Sequence, residues 1–389
     1  MQRILIWDVP TRLFHWTLAL SFAGAWLTSE SDPWLGVHVF LGYLMLGLVV
    51  FRVIWGVLGT HYARFSAFWF GPQAALSYVR EMMAGKAARH VGHNPAGSLA
   101  IYLLLLLTLG VGITGIFTLG GEEQQGIAAG LLSIDQGQAL KVVHEFAATV
   151  MLLLVMGHIA GVVVESFLHK ENLARSMVTG TKLADAQTPA APARKGVAVI
   201  LLVLIAGFAG WWFLYALQAP QDNKLARTEG RIQAPSVPFV GPQLVDNAQW
   251  REECGSCHMA FHPSLLPARA WLRLMNEQQQ HFGADLAFDA PTSAALLAFM
   301  TANSADQHKT EAAVKIGQSL KPEAAPLRIT ETPYWVKKHR DITAAQWKQP
   351  EVKSKANCAA CHQDAEAGTF EDAAMQLPKG AATPKTKPP

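Results

Sequence analysis

The sequence predicts a mainly α-helical protein, in which a bundle of transmembrane helices precedes a small, mostly helical domain in water. Hydrophobic residues make up 51% of the 389 residues and charged residues only 16%, whereas soluble domains average about 25% charged residues. The apolar residues are concentrated before residue 218, and the later part is polar. The net charge of +3 comes without a basic stripe interleaved with aromatic residues, so the sequence gives no basis for nucleic-acid binding.

Five apolar stretches are the predicted membrane spans, because about 20 apolar residues are needed to cross the hydrocarbon core of a bilayer. They are residues 13–30, 36–57, 97–119, 140–167 and 196–217. The first stretch is the shortest, and a buried helix of a soluble domain is its alternative, but its four clearer neighbours favour a span. The initial residues MQRILIWDVPTR lack the apolar core and the cleavage site of a signal peptide.

The basic residues of the loops predict the orientation, because lysine and arginine are enriched in cytoplasmic loops. Loops 58–96 and 168–195 contain four and five of them, whereas loops 31–35 and 120–139 contain none. We therefore expect the N-terminus and both basic loops in the cytoplasm of a bacterium. Five crossings of the inner membrane then place the residues after 217 in the periplasm.

All four cysteines belong to two copies of the C-x-x-C-H motif, which is typical of covalent c-type haem attachment. The copies are Cys254, Cys257 and His258, and Cys358, Cys361 and His362. In each copy two thiols can bond the haem vinyl groups, and the following imidazole can bind the iron as the proximal ligand. A single zinc site with both cysteine pairs is the alternative, but zinc does not require a histidine after each pair. A thioredoxin-like redox pair is disfavoured because no βαβ pattern surrounds either motif.

Four histidines lie within the predicted spans, where ligating side chains are functional candidates. His144 and His158 are 14 residues apart, nearly four helical turns, so they point to one side of the fourth span about 21 Å apart. His38 begins the second span on the outside, at the height of His144. His15 begins the first span on the inside, at the height of His158. Two histidine pairs at matched heights predict two b-type haems; the alternative is that each histidine only forms hydrogen bonds in the membrane.

Two arginines are candidate partners for the haem propionates. Arg52 follows His38 by 14 residues, and Arg12 precedes His15 by about one turn. Both are equally well explained as ordinary cytoplasmic anchors of their helices. Glycines in the spans could let a porphyrin approach a helix closely or could serve helix–helix contacts, which are commoner; these are Gly42, Gly110, Gly112 and Gly115.

The N-terminal part resembles the bacterial di-haem b-type membrane cytochromes, the group of the b-561 cytochromes and the cytochrome b subunit of Ni,Fe-hydrogenase. The matching strings are WDVPTRLFHW (7–16), GVHVFLGYLMLGLVVFRVIWG (36–56), GHNPAGSLA (92–100) and GHIAGVVVESFLHKENLARSMVTGTK (157–182). The resemblance covers about residues 3–182. It implies axial ligands in the pairing given above, His15 with His158 and His38 with His144, and electron exchange with the quinone pool.

The C-terminal part resembles the small periplasmic dihaem cytochromes c of the DHC family. The matching strings are ECGSCHMAFHPSLLPARAW (253–271), HFG (281–283), RITETPYWVKKHRDI (328–342) and ANCAACHQDAEAGTFED (356–372). In that family both irons have two histidine ligands, so the resemblance implies a distal histidine for each haem. His281 and His339 lie in matching strings, and we assign them to the first and the second haem, with the crossed assignment left open.

The remaining candidates for a distal ligand are weaker. His262 is one helical turn after His258 and cannot reach the opposite face of the same haem, and His308 is expected in a loop. Three methionines are outside candidates, with core packing as the better interpretation of the first two; they are Met275, Met300 and Met375. In the N-terminal part, His93, Asn94 and Pro95 are expected to cap the third span.

The expected domain order follows from these segments. It is a four-helix transmembrane cytochrome b domain (1–182), a cytoplasmic linker with the fifth transmembrane helix (183–217), a periplasmic linker (218–248), the dihaem cytochrome c domain (249–375) and a disordered tail (376–389). Residues 183–195 are rich in alanine and proline, which favours a flexible connector.

These features predict a membrane-bound tetrahaem electron-transfer cytochrome with two haems b and two haems c. The haems b would exchange electrons with quinone or quinol, and the haems c with a soluble periplasmic cytochrome or other redox protein. No paired carboxylates, nucleophile triad or phosphate loop marks a further catalytic site, and quinol oxidoreductase activity stays open. Two alternatives are a haem b oxidoreductase for a small oxidant such as superoxide, and a haem-carrying anchor subunit of a larger respiratory enzyme.

Overall fold

The computed structural model describes residues 2–30, 34–217, 244–371 and 374–375. The earlier part of the chain contains α1 (Val9–Thr28), α2 (Leu35–Leu58), α3 (Pro72–Met83), α4 (Pro95–Gly121), α5 (Ile134–Leu168), α6 (Leu173–Thr179) and α7 (Lys195–Trp211), which a π-helical turn (Trp212–Ala216) extends. Strands β1 (Gln2–Leu5) and β2 (Thr181–Ala184) pair in it. The later part contains α8 (Ala248–Gly255), α9 (Ala268–Asn276), α10 (Ala290–Ala302), α11 (Glu311–Ser319), α12 (Pro333–Lys338) and α13 (Ala344–Trp347). Most of the predicted linker 218–248 and the whole predicted tail 376–389 lie outside the described residues.

Among the residues that the structure describes, four helices are long and apolar enough to cross a membrane, and they coincide with four of the predicted spans. They are α2, α4, α5 and Lys195–Ala216. Their surfaces carry large apolar side chains that are mostly exposed, such as Leu106 at 65% and Phe146 at 70%, as expected of helices that face lipid. The 20 residues of α1 cover the remaining predicted span, but α1 is not among the four. Arg12 and His15 lower the hydropathy of its first turns.

The chain divides into two compact units. The first comprises the chain up to Ser29, Val37–Ile116 and Leu140–Ala216. The second comprises Glu30–Gly36, Phe117–Ala139 and, among the described residues, the chain from Leu217 onward. The loop between α4 and α5 therefore belongs to the same unit as the C-terminal part of the chain.

Two polar side chains fix helix starts in the first unit. Asp8 caps α1 by accepting a hydrogen bond of 2.7 Å from the Thr11 backbone N–H, and it also accepts hydrogen bonds from Trp55 Nε1 and Thr60 Oγ1. These bonds tie the start of α1 to the end of α2. Asn94 accepts a hydrogen bond of 2.6 Å from the backbone N–H of Gly97, which confirms the predicted cap of α4.

A short antiparallel sheet joins the N-terminus to the segment after α6. Gln2 pairs with Ala184 and Leu5 with Thr181, and the Ala191 N–H donates a hydrogen bond of 2.7 Å to the Leu5 carbonyl. The expectation of a flexible connector over 183–195 is therefore wrong for this segment. Its small side chains allow it to lie flat against the N-terminal strand, and Ala184 and Ala191 are buried.

The C-terminal part consists of short helices and turns around a compact apolar core, as the sequence predicts. The core includes Trp250, Leu266, Trp271 and Leu296, together with Met300. Met275 belongs to the same cluster, so the core-packing interpretation of the first two candidate methionines is confirmed. Side-chain caps begin most of these helices, for example Asn247 at α8 and Asp289 at α10.

Candidate haem-binding sites

His38 and His144 lie opposite each other on α2 and α5. Their imidazole centroids are 6.2 Å apart, with the rings inclined by 75°. His38 Nδ1 lies 2.9 Å from the Ala25 carbonyl oxygen, and His144 Nδ1 lies 3.0 Å from the Val111 carbonyl oxygen. A carbonyl oxygen only accepts hydrogen bonds, so each Nδ1 carries the proton and each Nε2 keeps its lone pair for a metal.

His15 and His158 form the other pair within the apolar helices, on α1 and α5. Their pairing at one height in the bundle stays a prediction from the sequence. The Nδ1 atom of His15 is buried, and no partner for it occurs among the described residues. Because His144 and His158 are separated by nearly four turns of one helix, α5 presents two histidines along a single face.

His258 and His281 meet in the first C-x-x-C-H motif of the C-terminal part. Their ring centroids are 6.2 Å apart, with an inclination of 34°. The Nδ1 of His258 lies 2.7 Å from the Met259 carbonyl oxygen, which again leaves Nε2 with its lone pair. Burial, with a smaller contribution from His258, lowers the pKa of His281, so its imidazole is neutral at physiological pH.

His339 and His362 meet in the same way in the second motif. Their ring centroids are 6.1 Å apart, with an inclination of 60°. His339 donates a hydrogen bond of 2.8 Å from Nδ1 to the Trp335 carbonyl, and its ring stacks on the Trp335 indole at 4.2 Å. Burial lowers the pKa of His339 to about 4, and neutral imidazole is the form that binds metals.

The spacing of these pairs fits one iron between two imidazoles. An imidazole nitrogen binds a metal at about 2 Å, and the ring radius added on each side gives roughly 6 Å between two centroids that share one ion. A haem supplies four further nitrogens, whereas a structural zinc site needs four protein ligands. In the part of the chain that the structure describes, no three histidine, cysteine or acidic side chains are arranged to hold a metal.

The four cysteines accompany two of these histidine pairs, one C-x-x-C-H motif at each pair. All four are described, and none forms a disulfide. Burial raises the pKa of Cys254 to about 11 and that of Cys358 to about 11, so both thiols are protonated at physiological pH.

Two other histidines have different surroundings. His262 Nδ1 lies 2.9 Å from the Ser264 hydroxyl oxygen, and its Nε2 lies 3.3 Å from the Val245 carbonyl oxygen. Protein hydrogen bonds thus occupy both of its ring nitrogens. His308 is half-exposed and lies 3.7 Å from Asp135. Both therefore stay the weaker candidates for a distal ligand.

Arg52 is the buried cation expected beside a haem propionate. Its side chain is 3% exposed, and its guanidinium stacks over the Phe65 ring at 4.6 Å. No hydrogen-bond acceptor for its Nη1 occurs among the described residues. The Nε of Arg12 is likewise buried without an acceptor in the described part of the chain, although Arg12 Nη1 donates to the Val178 carbonyl. These donors fit an anionic group held near the start of α1 and the end of α2.

The glycines in the helices separate into two groups. A Cβ on Gly112 would lie 2.4 Å from the Leu46 side chain, and one on Gly115 would lie 3.1 Å from the His144 ring. Gly112 therefore permits a helix–helix contact. An added Cβ on Gly42, one turn after His38, would meet nothing within 4 Å, and the same is true of Gly110. Gly42 is thus compatible with a flat group beside the His38 imidazole.

Trp335 is the residue of these sites that the sequence analysis missed. Its position four residues before His339 places both rings on one face of a helix. An aromatic residue one turn before a candidate ligand was the available signal. A further polar cluster, near the start of α4 and the end of α5, also went unnoticed. In it, Glu165 accepts hydrogen bonds from Tyr78 and Asn94.

Helices fit to cross a membrane, with histidine pairs along them and two C-x-x-C-H motifs beyond, define a membrane-bound electron-transfer cytochrome. Residues 6–180 match the family described as prokaryotic cytochrome b561, and residues 250–370 match the family described as dihaem cytochrome c. The chain thus combines a part similar to prokaryotic cytochrome b561 with a dihaem cytochrome c part. It therefore functions in electron transport with haem b and haem c.

Individual relatives cover the two parts separately. A probable Ni/Fe-hydrogenase B-type cytochrome subunit from Rhizobium leguminosarum bv. viciae is 26% identical over 47% of this chain and 90% of its own length. One from Cupriavidus necator is 23% identical over 45% of this chain and 85% of its own length. Among solved structures, a diheme cytochrome c from Rhodobacter sphaeroides is 35% identical, with a TM-score of 0.30, over 33% of this chain and 100% of that chain. A diheme cytochrome c from Shewanella baltica is 29% identical, with a TM-score of 0.28, over 36% of this chain and 97% of that chain.

Proposed function

We propose that this chain is a tetrahaem cytochrome that carries electrons between the quinone pool and a soluble periplasmic redox protein. The observation that carries the proposal is the common separation of three histidine pairs, 6.1 to 6.2 Å between ring centroids. The haem b ligands are His15 with His158 and His38 with His144. The haem c residues are Cys254, Cys257, His258 and His281 for one group, and Cys358, Cys361, His362 and His339 for the other.

The bound haems supply irons that alternate between two oxidation states. The protein's contribution is to hold imidazoles by their Nδ1–H, as for His38, His144, His258 and His339, to bury the sites and to exclude water. Arg52 and Arg12 would bind propionates, because their donors are buried at the cytoplasmic ends of α2 and α1. A buried donor without an acceptor is costly, so an anion that accepts from these groups would also stabilise the bundle.

The proposed topology has five crossings with the N-terminus in the cytoplasm. It adds α1 to the four helices that are long and apolar enough. Support comes from His15, which would need α1 at membrane depth to pair with His158. The proposed domains keep the boundaries predicted above: 1–182, 183–217, 218–248, 249–375 and a tail at 376–389. The dihaem domain would then lie in the periplasm.

A basic surface supports an acidic soluble partner. Residues 333–357 contain six lysine and arginine residues and two acidic residues, whereas the rest of the described C-terminal part contains seven and thirteen. All six basic side chains belong to exposed residues, and the segment includes His339. Such an asymmetric charge distribution steers the approach of an oppositely charged partner and speeds association.

The relatives favour one second candidate. Because two relatives are named as B-type cytochrome subunits of Ni/Fe-hydrogenases, the chain could serve as a haem-carrying subunit of a larger enzyme. A stoichiometric partner enzyme that co-purifies with the chain would favour this role. A chain that accepts electrons from a quinol without any partner favours the relay.

The haem content tests the proposal. Pyridine haemochrome spectra of the purified protein, taken before and after extraction with acidified acetone, separate covalent from non-covalent haem. We expect two extractable haems b and two retained haems c per chain. A preparation of intact protein with fewer than two haems of either kind would contradict the tetrahaem assignment.

A further inference from the structure

A buried ion pair links two segments of the second unit that are far apart in sequence. Lys315 on α11 lies 2.9 Å from Glu122, in the loop that joins α4 to α5, and it also pairs with Glu311 one turn earlier on α11. The Glu122 and Glu311 side chains are 2% and 5% exposed. This arrangement is unlike the exposed ion pairs of the same domain, such as Arg273 with Glu277, whose side chains are about half-exposed.

Lys315 supplies the positive charge that balances the carboxylates of Glu122 and Glu311. Burial alone would lower the pKa of Lys315, but the carboxylates of Glu311 and Glu122 raise it above its ordinary value. The lysine is therefore charged at every physiological pH. The loop 120–139 contains no lysine or arginine, so the cation that balances its carboxylate comes from the C-terminal part of the chain.

Further contacts follow the same face of α11. Glu311, Lys315 and Gln318 are spaced by four and three residues, which places them on one side of the helix. Gln318 donates a hydrogen bond of 3.0 Å to Asp135 in the first turn of α5, just after the loop, and His308 lies 3.7 Å from the same carboxylate. The opposite side of α11 packs into the apolar cluster that includes Ile316. Both ends of the loop thus contact one polar stripe.

Two glycines allow the backbone on either side of the loop to come close together. A Cβ on Gly121 would lie 2.7 Å from the Gly137 backbone, and a Cβ on Gly137 would lie 2.3 Å from the Glu122 nitrogen. Only glycine at both positions lets the two ends of the loop approach this closely. The close approach of Gly121 and Gly137 therefore brings the neighbouring residues Glu122 and Asp135 to the same end of α4 and α5.

We propose that the α4–α5 loop is the docking site for the dihaem domain, and that Lys315 between Glu122 and Glu311 is the latch. The dihaem domain would then be held by this contact as well as by its covalent connection through residues 218–248. Building on the proposed function, the docked state is the one in which electrons pass between the haems b and the haems c. Removal of the latch should slow that transfer without altering any haem ligand.

Charge-removing variants and a matched control test the latch in the purified holoprotein in lipid nanodiscs. Glu122→Gln removes the partner from the loop, and Glu122→Lys with Lys315→Glu exchanges the charges of the pair that joins the loop to α11. Glu277→Gln is the control, because it makes the same chemical change at an exposed ion pair of the same domain. Haem content, measured for each variant, verifies that the protein is assembled.

The first readout is hydrogen–deuterium exchange. We expect Glu122→Gln to accelerate exchange at least about tenfold in residues 117–139 and 311–319, since loss of one partner of a buried pair weakens docking by tenfold or more. The exchanged-charge variant should restore protection, and Glu277→Gln should leave it unchanged. Unchanged exchange in Glu122→Gln would overturn the proposal, because the pair would then contribute nothing to docking.

The second readout separates this proposal from the proposed function. Stopped-flow reduction of the haems c is followed with duroquinol, which enters through the membrane part, and with ascorbate, which reaches the haems c from water. We expect Glu122→Gln to slow only the duroquinol reaction, and equal rates in all variants would overturn the docking role. If duroquinol reduces no haem even in the unaltered protein, the quinone assignment fails, while hydrogen exchange still decides whether the loop docks the domain.

Discussion

Trp335 holds His339 by two contacts at once: its indole stacks on the imidazole at 4.2 Å, and its carbonyl oxygen accepts the Nδ1–H at 2.8 Å. The first contact belongs to the side chain and the second to the backbone. A substitution at Trp335 therefore removes the stacking and retains the hydrogen bond. This separation makes Trp335 a positioning residue whose effect on the second haem c can be measured alone.

Trp335→Ala should loosen His339 without releasing the haem, because Cys358 and Cys361 still hold it covalently. Contacts that orient a ligand typically change metal affinity by about 10- to 100-fold. We expect the reduced variant to bind carbon monoxide at one haem c, as seen in the difference spectrum. Val336→Ala, at the exposed neighbouring residue, should not bind it. A Trp335→Ala spectrum identical to that of the unaltered protein would mean that the stacking has no role in ligation.

The haem b pairs should respond independently to removal of a ligand. His158→Ala should lower the extractable haem b from two per chain to one, since the remaining His15 leaves a b-type iron with one ligand. His144→Ala should remove the other haem b, at the His38 site. Both variants should retain their two haems c, because different residues bind them. Loss of the c-type absorption from a folded and exported His158→Ala protein would disagree with this assignment.

Cys361→Ala should weaken covalent capture of one haem c only. One thioether bond remains available through Cys358, so we expect heterogeneous or incomplete attachment at this site. The first motif, with Cys254 and Cys257, should retain its haem. Haem-stained denaturing gels together with mass spectrometry measure the number of covalent haems. Two complete haem additions in the variant would indicate that Cys361 forms no thioether.

Arg52 should affect a haem b potential through its charge. A nearby positive charge stabilises the reduced state of a haem. Arg52→Met should therefore lower the reduction potential of the haem b between His15 and His158 by tens of millivolts. For one electron, about 59 mV corresponds to a tenfold change in the equilibrium constant. Arg52→Lys keeps the charge but loses the planar donor pair, and a smaller shift is expected. A redox titration measures both. Equal potentials in all three proteins would assign Arg52 to packing against Phe65 alone.

The basic surface should discriminate between small redox reagents of opposite charge. Lys353→Glu should slow oxidation of the reduced haems c by ferricyanide and speed their oxidation by hexaammineruthenium(III), and added salt should diminish both effects. Lys321→Glu makes the same charge change at an exposed position outside residues 333–357 and serves as the control. Similar rate changes in the two variants would show that only net charge matters, which would remove the support for a docking surface.

Local patterns in the sequence account for much of the architecture. The apolar lengths predict four helices that the structure contains, and the 14-residue spacing on α5 predicts that His144 and His158 share a face. The Asn94 cap could also be predicted, since N-cap chemistry depends on neighbouring residues only. Where the sequence has a strong period or a short motif, it therefore predicts structure well.

The contacts that the sequence did not reveal connect residues far apart in the chain. Strands β1 and β2 are four residues long each, too short for a recognisable alternation, and they pair across nearly 180 residues. Lys315 and Glu122 are separated by 193 positions, and neither has a local signature of burial. The distal histidines His281 and His339 could be assigned only through a family resemblance, because no helical or motif spacing relates them to His258 and His362.

The central claim is that each iron is held by two imidazoles, and near-infrared magnetic circular dichroism of the oxidised protein tests it most directly. The porphyrin-to-iron charge-transfer band lies at different wavelengths for bis-histidine, histidine–methionine and five-coordinate haems. We predict a single bis-histidine band, with an intensity that corresponds to four low-spin haems per chain. A histidine–methionine band, or a high-spin signal from any of the four, would contradict the account.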